Sequence, residues 1–334
     1  MSIDLPLVWA ALLAFAVLMY VVMDGFDLGI GILFPFIKQE HDRDVMVNTI
    51  APVWDGNETW LILGGAGLFA VFPLAYSVVL TALYAPLIAM LLALVFRGVA
   101  FEFRFRDPAH KHWWDVAFMG GSSLAAFCQG IVLGAYLQGI RMAGRSYAGG
   151  WFDWLTPFSV FTGLAVLAGY ALLGAGWLVM KTEGELQARI YQLMLPLAAA
   201  VLGAIGIVSL WTPLLNEAIA ERWFSWPNIV LLSPMPLLVA TAAFALYRAI
   251  VKRLEVQPFV LSLLLFLLSF VGLAVSLYPN AIPPDISIWE AAAPDASLGF
   301  LLVGALVLLP IILAYTAYSY WVFRGKVRAT DHYH

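Results

Sequence analysis

Stretches of about twenty apolar residues recur along the whole chain, and each is long enough to cross a bilayer core of roughly 30 Å as a helix. No other feature limits the fold as strongly. Backbone polar groups in hydrocarbon must pair within their own segment or around a closed barrel. A barrel needs in-out alternation along each strand, whereas segments such as 261–270 (LSLLLFLLSF) place apolar residues at successive positions. The chain is 63% hydrophobic and 11% charged, against about 25% charged in soluble domains. The polar surface that is missing must therefore face lipid. The expectation is an all-α membrane protein, with residues 1–334 forming a single integral membrane domain.

Nine spans can be drawn, at 5–35, 52–74, 78–100, 113–138, 157–180, 191–212, 228–250, 258–279 and 299–323. Nine spans suit two four-helix bundles plus one peripheral helix. With the N-terminus outside, one side collects Lys38, Arg43, Arg97, Arg104, Arg106, Lys111, Lys181, Arg189, Arg248, Lys252, Arg253, Arg324, Lys326 and Arg328, and the other only Arg141, Arg145 and Arg222. Cytoplasmic loops carry the excess of Lys and Arg, so the drawing predicts an outside N-terminus and a cytoplasmic C-terminus. Trp113, Trp114, Trp151, Trp154, Trp223, Trp226 and Trp321 fall near span ends, where such rings anchor at the headgroups. The first segment lacks a basic leader and a cleavage site, so it is expected to remain as a helix. The single cysteine, Cys128, excludes an internal disulfide. The connections near 139–156, 213–227 and 280–298 read as ordinary loops, with Tyr278-Pro279 and Pro283-Pro284 as punctuation.

Against this background the ionisable residues inside spans carry the information. The first span holds Asp24-Gly25-Phe26-Asp27-Leu28-Gly29. A carboxylate in the bilayer is costly unless it faces protein or water, which makes it a functional candidate. Asp24 and Asp27 are three apart and share a face, while Gly25 and Gly29 allow a neighbouring helix to approach closely. The second span opens with Trp54-Asp55-Gly56-Asn57-Glu58. Asp55 and Glu58 also share a face, but acids in a first helical turn are equally well explained by the helix dipole. At about 1.5 Å per residue, Asp55 and Glu58 lie in the cytoplasmic layer and Asp27 about ten residues deep, with Asp24 nearer the middle. The four acids form a ladder suited to proton relay. A metal cation, or acids that only fix packing, would also fit. Arg97 closes the third span and reads mainly as a cation snorkelling to the interface, with pairing to an acid as the other reading. The stretch 181–185 reads as a solvated helix end, and Gln129 and Gln138 as interhelical glue.

His41, His110, His112, His332 and His334 all fall in cytoplasmic connections or the tail, not in spans where a membrane haem would find an axial ligand. Methionine in an apolar helix is usually filler. The sequence holds no P-loop, zinc spacing or nucleophile-base motif. No metal site, catalytic residue or nucleic-acid partner is expected of this chain.

The segments 24–29 and 50–58 together resemble subunit II of cytochrome bd oxidases, including the cyanide-insensitive branch. Phe96-Arg97 to Arg104, Leu137-Gln138-Gly139, Thr182-Glu183-Gly184-Glu185-Leu186 and Tyr278-Pro279 follow in order. The resemblance covers essentially the whole chain. It implies a heterodimer in the bacterial cytoplasmic (inner) membrane with a haem-bearing subunit I, which ligates two b-type haems and one d-type haem. Some members add a small single-span accessory subunit and a structural quinone bound in this chain. It further implies oxidation of quinol coupled to reduction of dioxygen to water, with protons entering past acids that match Asp24 and Asp55. Glu58 stands where some members have glutamine. Trp54, Asn57 and Arg97 are read as supporting residues beside the path of Asp24, Asp27, Asp55 and Glu58. Two other readings of the same residues are a free-standing proton or cation transporter, and a purely structural membrane scaffold.

Overall fold

A computed structural model describes residues 3–327. Arg328, His332 and His334, which enter the charge and histidine readings above, lie outside the described residues.

The chain is almost entirely helical. Helix α1 (Leu5–Leu33) leads to a short α2 (Glu40–Asn48), followed by α3 (Trp54–Val71), α4 (Pro73–Arg106), α5 (Lys111–Gln138), α6 (Pro157–Lys181) and α7 (Gly184–Leu215). Then come α8 (Glu217–Phe224), α9 (Asn228–Leu232), α10 (Pro234–Val251), α11 (Gln257–Leu277), α12 (Ile288–Ala291) and α13 (Asp295–Val322). Among the described residues, eight helical segments are long and apolar enough to cross a membrane. The segment drawn at 52–74 is helical too, as the 18-residue α3, but its polar first turns keep it out of that set. Several spans extend beyond the expected ends: 78–100 becomes Pro73–Arg106 and 191–212 becomes Gly184–Leu215.

Three connections read as loops contain structure. A two-residue antiparallel hairpin, β1 (Met142–Ala143) with β2 (Ser146–Tyr147), sits between α5 and α6, and β3 (Asn280–Ile282) pairs with β4 (Ile286–Ser287) before α12. Helix α8 occupies the third. Apolar periodicity gives no warning of such short elements, because they are fixed by contacts with helix ends. Ile140 N–H donates to Pro283 O at 3.0 Å and Tyr136 OH donates to Ala281 O at 2.6 Å. At that end, Trp9 Nε1 also donates to Leu298 O at 3.0 Å, and Ala293 N–H donates to Val71 O at 2.8 Å.

The opposite end is tied by charge. Arg104 is fully buried and binds Asp115 at 2.5 Å and Asp44 at 2.6 Å. Arg43 reaches the other oxygen of Asp115 at 2.9 Å, and Lys111 bridges Asp44 and Glu40. Arg189 joins α7 to Asp42 of α2 at 3.2 Å. The stretch 181–185 is solvated, as its sequence suggests, only from Glu183 to Glu185. Lys181 and Thr182 are buried, because Lys181 Nζ donates to Phe323 O at 2.5 Å and to Gly325 O at 3.2 Å. Gly184, at φ +69°, makes the turn that follows.

Helix α1 lies at the centre of the helix packing, against α3, α5 and α6. Its approach to α6 is made by glycine. A Cβ on Gly29 would stand 1.9 Å from Tyr170 O, and one on Gly174 would stand 2.6 Å from Gly29 C. Helix α4 bends where Leu83 leaves helical geometry (φ −117°, ψ 18°), just before Pro86, which has no N–H to give and crowds the preceding turn. Helix α13 is the most exposed of the long helices and touches α1 and α3.

Candidate functional site

From Asp24 to Phe34 every residue of α1 and the turn after it is buried. The tight α1–α6 contact at Gly29, and the lodging of Gly25 against the Tyr170 ring, bury Asp24 and Asp27 with it. Both are 0% exposed. Helix α4 delivers Arg97 to the same point, also 0% exposed. Its approach depends on Gly121 of α5, where a Cβ would stand 2.6 Å from Ala93 O and 3.0 Å from Arg97 N. Arg97 therefore does not snorkel. Its Nη1 donates to Asp24 Oδ1 at 2.7 Å, and Nη2 lies 3.7 Å from Asp27 Oδ2. The guanidinium fills the space between the acids, and one cation thus faces two carboxylates in a water-poor interior.

Helix α3 supplies the next layer. Asn57, buried, donates from Nδ2 to Asp27 Oδ2 at 2.8 Å and accepts at Oδ1 from Tyr320 OH of α13 at 2.8 Å. Trp54 stacks on Phe101 with centroids 5.0 Å apart. Glu58 is half-buried and Asp55 is exposed, and Glu58 lies within electrostatic reach of Arg97, Asp24 and Asp55. The four acids thus grade from exposed to fully buried, with α3 carrying the outer pair and α1 the inner pair. Within the cluster, Asp24 Oδ2 and Asp27 Oδ1 have no hydrogen-bond partner among the described residues.

On the far side of Asp24 a second chain of polar groups joins α1, α5 and α6. Tyr170 OH donates to Gln129 Oε1 at 2.6 Å, and Gln129 Nε2 donates to Tyr20 OH at 2.7 Å. Tyr20 lies one turn before Asp24 and is its immediate polar neighbour. Gln129 is interhelical glue, as read from sequence, and so is Gln138, which accepts from Thr156 Oγ1 at 2.6 Å. Sequence reasoning missed Tyr20, Tyr170 and Tyr320. Only Tyr20 carried a usable signal, the i,i+4 spacing to Asp24.

His41, His110 and His112 are exposed near helix ends. Among the described residues no group of three or more His, Cys, Asp or Glu is arranged to hold a metal ion. Cys128 is buried and unpaired with another cysteine.

A family model described as cytochrome bd terminal oxidase subunit II matches residues 5–323. The chain belongs to the cytochrome bd terminal oxidase subunit II family. "Cytochrome bd-I ubiquinol oxidase subunit 2" of Escherichia coli (strain K12) is 28% identical, over 98% of this chain and 96% of that one. "Probable cytochrome oxidase subunit 2" of Haemophilus influenzae is 30% identical, over 97% and 96%. "Cytochrome bd ubiquinol oxidase subunit 2" of Bacillus subtilis is 28% identical, over 96% of both chains. Among solved structures, the bd oxidase from Geobacillus thermodenitrificans superposes with a TM-score of 0.75 at 16% identity, covering 96% of this chain and 99% of that one. That likeness bears on the fold. As a member of the cytochrome bd subunit II family, the chain is a multi-pass membrane subunit of an oxidoreductase complex, a terminal oxidase.

Proposed function

We propose that this chain is the subunit of a quinol-oxidising, dioxygen-reducing complex that conducts protons inward from the cytoplasmic side, while the haem chemistry belongs to a partner subunit I. The observation that carries this reading is the pair of fully buried carboxylates on one turn of α1, backed by Arg97 and approached from the surface through Glu58 and Asp55 of α3. A carboxyl in such a setting can take and release a proton where no bulk water reaches it. The guanidinium between the acids weighs against a metal cation at that point, and so against a cation transporter.

The residues of this chain do not fit a haem of its own. Its three described histidines lie exposed at helix ends rather than inside spans, so the two b-type haems and one d-type haem implied by the family are assigned to subunit I. A structural quinone has a better fit. An apolar groove of about 630 Å³ is lined by Phe15, Leu18, Leu231, Phe270 and Val271, with Arg222 and Asn228 also on its wall. A polyprenyl tail would lie along the apolar walls.

Nine spans follow if α3 is counted as crossing, a number that suits two four-helix groups plus one peripheral helix. The charged network at the Arg104 end supports placing that end in the cytoplasm, with the N-terminus outside. A small single-span accessory subunit would sit against lipid-facing helices.

The test is Asp24→Asn in the assembled complex. Quinol oxidase turnover is expected to fall at least tenfold while the subunits still co-purify with their haem absorbance. Wild-type turnover in Asp24→Asn and in Asp27→Asn alike would remove the conduction role, and failure to assemble with the haem-bearing partner would favour a packing role alone.

A further inference from the structure

The two buried acids are not equivalent. The geometry assigns the exchangeable proton to Asp27 and makes Asp24 the standing counter-ion of Arg97, oriented by Tyr170, Gln129 and Tyr20. This assignment rests on the proton-conducting reading above but makes a separate claim about which group carries the proton.

Arg97 remains protonated under any ordinary condition. With both acids ionised the cluster would hold a net negative charge at zero exposure, and an uncompensated buried ion costs several kcal/mol. One proton shared with the cluster brings it to neutrality. The question is which oxygen holds it.

Asp24 is fixed as an acceptor. It takes a charge-assisted bond from Arg97 at 2.7 Å, and such bonds are roughly twice as strong as neutral ones. Tyr20, one turn before it on α1, is its other polar neighbour. Tyr170 can only donate to Gln129 through its hydroxyl hydrogen while that amide oxygen accepts, so the amide must present N–H to Tyr20. With a Tyr20 lone pair occupied by that N–H, the Tyr20 O–H is left to donate. The acceptor without a partner one turn along α1 is Asp24 Oδ2. Tyr170, Gln129 and Tyr20 thus form a one-way series of donors whose last hydroxyl is free to turn to Asp24, and they act as positioning residues.

Asp27 has weaker claims on a negative charge. Arg97 Nη2 stands 3.7 Å from its Oδ2, beyond hydrogen-bond range. Its one close partner is the neutral amide of Asn57, whose own oxygen is engaged by Tyr320. Oδ1 has no partner and is the natural seat of the proton. The other ionisable groups facing the pair are Glu58 from α3, Tyr20 on α1, Tyr170 from α6 and Tyr320 from α13. Of these, Glu58 and Tyr320 are half-buried, and Glu58, the carboxylic acid of the two, is the route by which Asp27 would be recharged.

Infrared spectroscopy of the purified complex at neutral pH tests the assignment. A buried protonated-carboxyl stretch is expected that is lost in Asp27→Asn, shifted in Asp27→Glu, and insensitive to Asp24→Glu. The glutamate variants keep the ionisable group, so they remain informative where an asparagine variant fails to assemble. In Gln129→Leu, which cuts the donor series, part of the band should become sensitive to Asp24→Glu. A band that follows Asp24 in the wild type, or no protonated carboxyl at all, overturns the assignment. If the band follows Asp27 but Asp27→Asn turns over normally, the assignment stands and the conduction reading falls.

Discussion

At the scale of single residues, Arg97 is where the site is most sensitive. Removing one member of a buried ion pair leaves an uncompensated charge and typically costs 3–5 kcal/mol, whereas removing both members is often nearly neutral. Arg97→Leu should therefore lower the stability of the solubilised complex by about 3–5 kcal/mol, read as a fall in its melting temperature. The double variant Arg97→Leu/Asp24→Asn should recover most of that loss, because a protonated Asp27 then leaves the cluster uncharged. A double variant as unstable as the single one would show that the pair matters through packing instead. The sequence disclosed the acids plainly, since an Asp inside an apolar span has few excuses. It did not disclose the destination of Arg97, because a cation near a span end has two low-energy outcomes and only the position of α5, admitted by Gly121, selects between them. Nor did it disclose the tyrosines, whose ring and hydroxyl suit lipid interface, core and polar network alike.

At the scale of helices, the site depends on how closely α1 and α6 meet. Gly29→Ala would drive a methyl group into the Tyr170 carbonyl, where a Cβ stands 1.9 Å away. Backbone cannot rotate aside as a side chain can. Overpacking of this kind costs about 1–3 kcal/mol or more, and the helices would part at the turn that carries Asp27. Gly203→Ala in α7 is the matched control, since nothing lies within 4 Å of its Cβ position. It should leave stability unchanged or raise it by up to about 1 kcal/mol through helix propensity. The two variants, compared by thermal melting and by turnover, separate close approach from glycine's general effect on helices. The Gly25/Gly29 spacing foretold a close contact but not its partner, because small-residue spacing marks a face without naming what packs on it. The long apolar helices were legible for the same reason that the fold class was: lipid demands long apolar runs. The hairpins, α2, α8 and α12 were not, as such short elements owe their form to their neighbours.

At the scale of the whole molecule, the chain is closed by a short C-terminal strap. Val327 N–H donates to Lys181 O at 2.8 Å, and Lys326 binds Glu255 at 2.8 Å in the connection between α10 and α11. The hydrogen bond from Lys326, with a second from Gln187, holds the Glu255 carboxyl below its ordinary value. A lowered value in the folded state means that this contribution is present above the ordinary glutamate range and is lost as pH falls through the lowered value. The protection of the Val327 amide, measured against its intrinsic exchange rate, should accordingly weaken as the solution is acidified through the carboxylate range, and Glu255→Gln should show the weaker protection already at neutral pH. Protection insensitive to both changes would place the strap's anchorage entirely at Lys181.

The polar opening of α3 has a bearing on how the protein is made. A helix that begins Trp-Asp-Gly-Asn-Glu-Thr partitions into a bilayer less readily than the wholly apolar spans, and the guanidinium of α4, fully buried in the folded protein, faces the same obstacle. Arg97 of α4 finds its counter-charge on α1, and Asn57 of α3 finds its buried acceptor there. Assembly is therefore expected to run from the first helix outward, with the α3–α4 pair settling only once α1 is there to receive it.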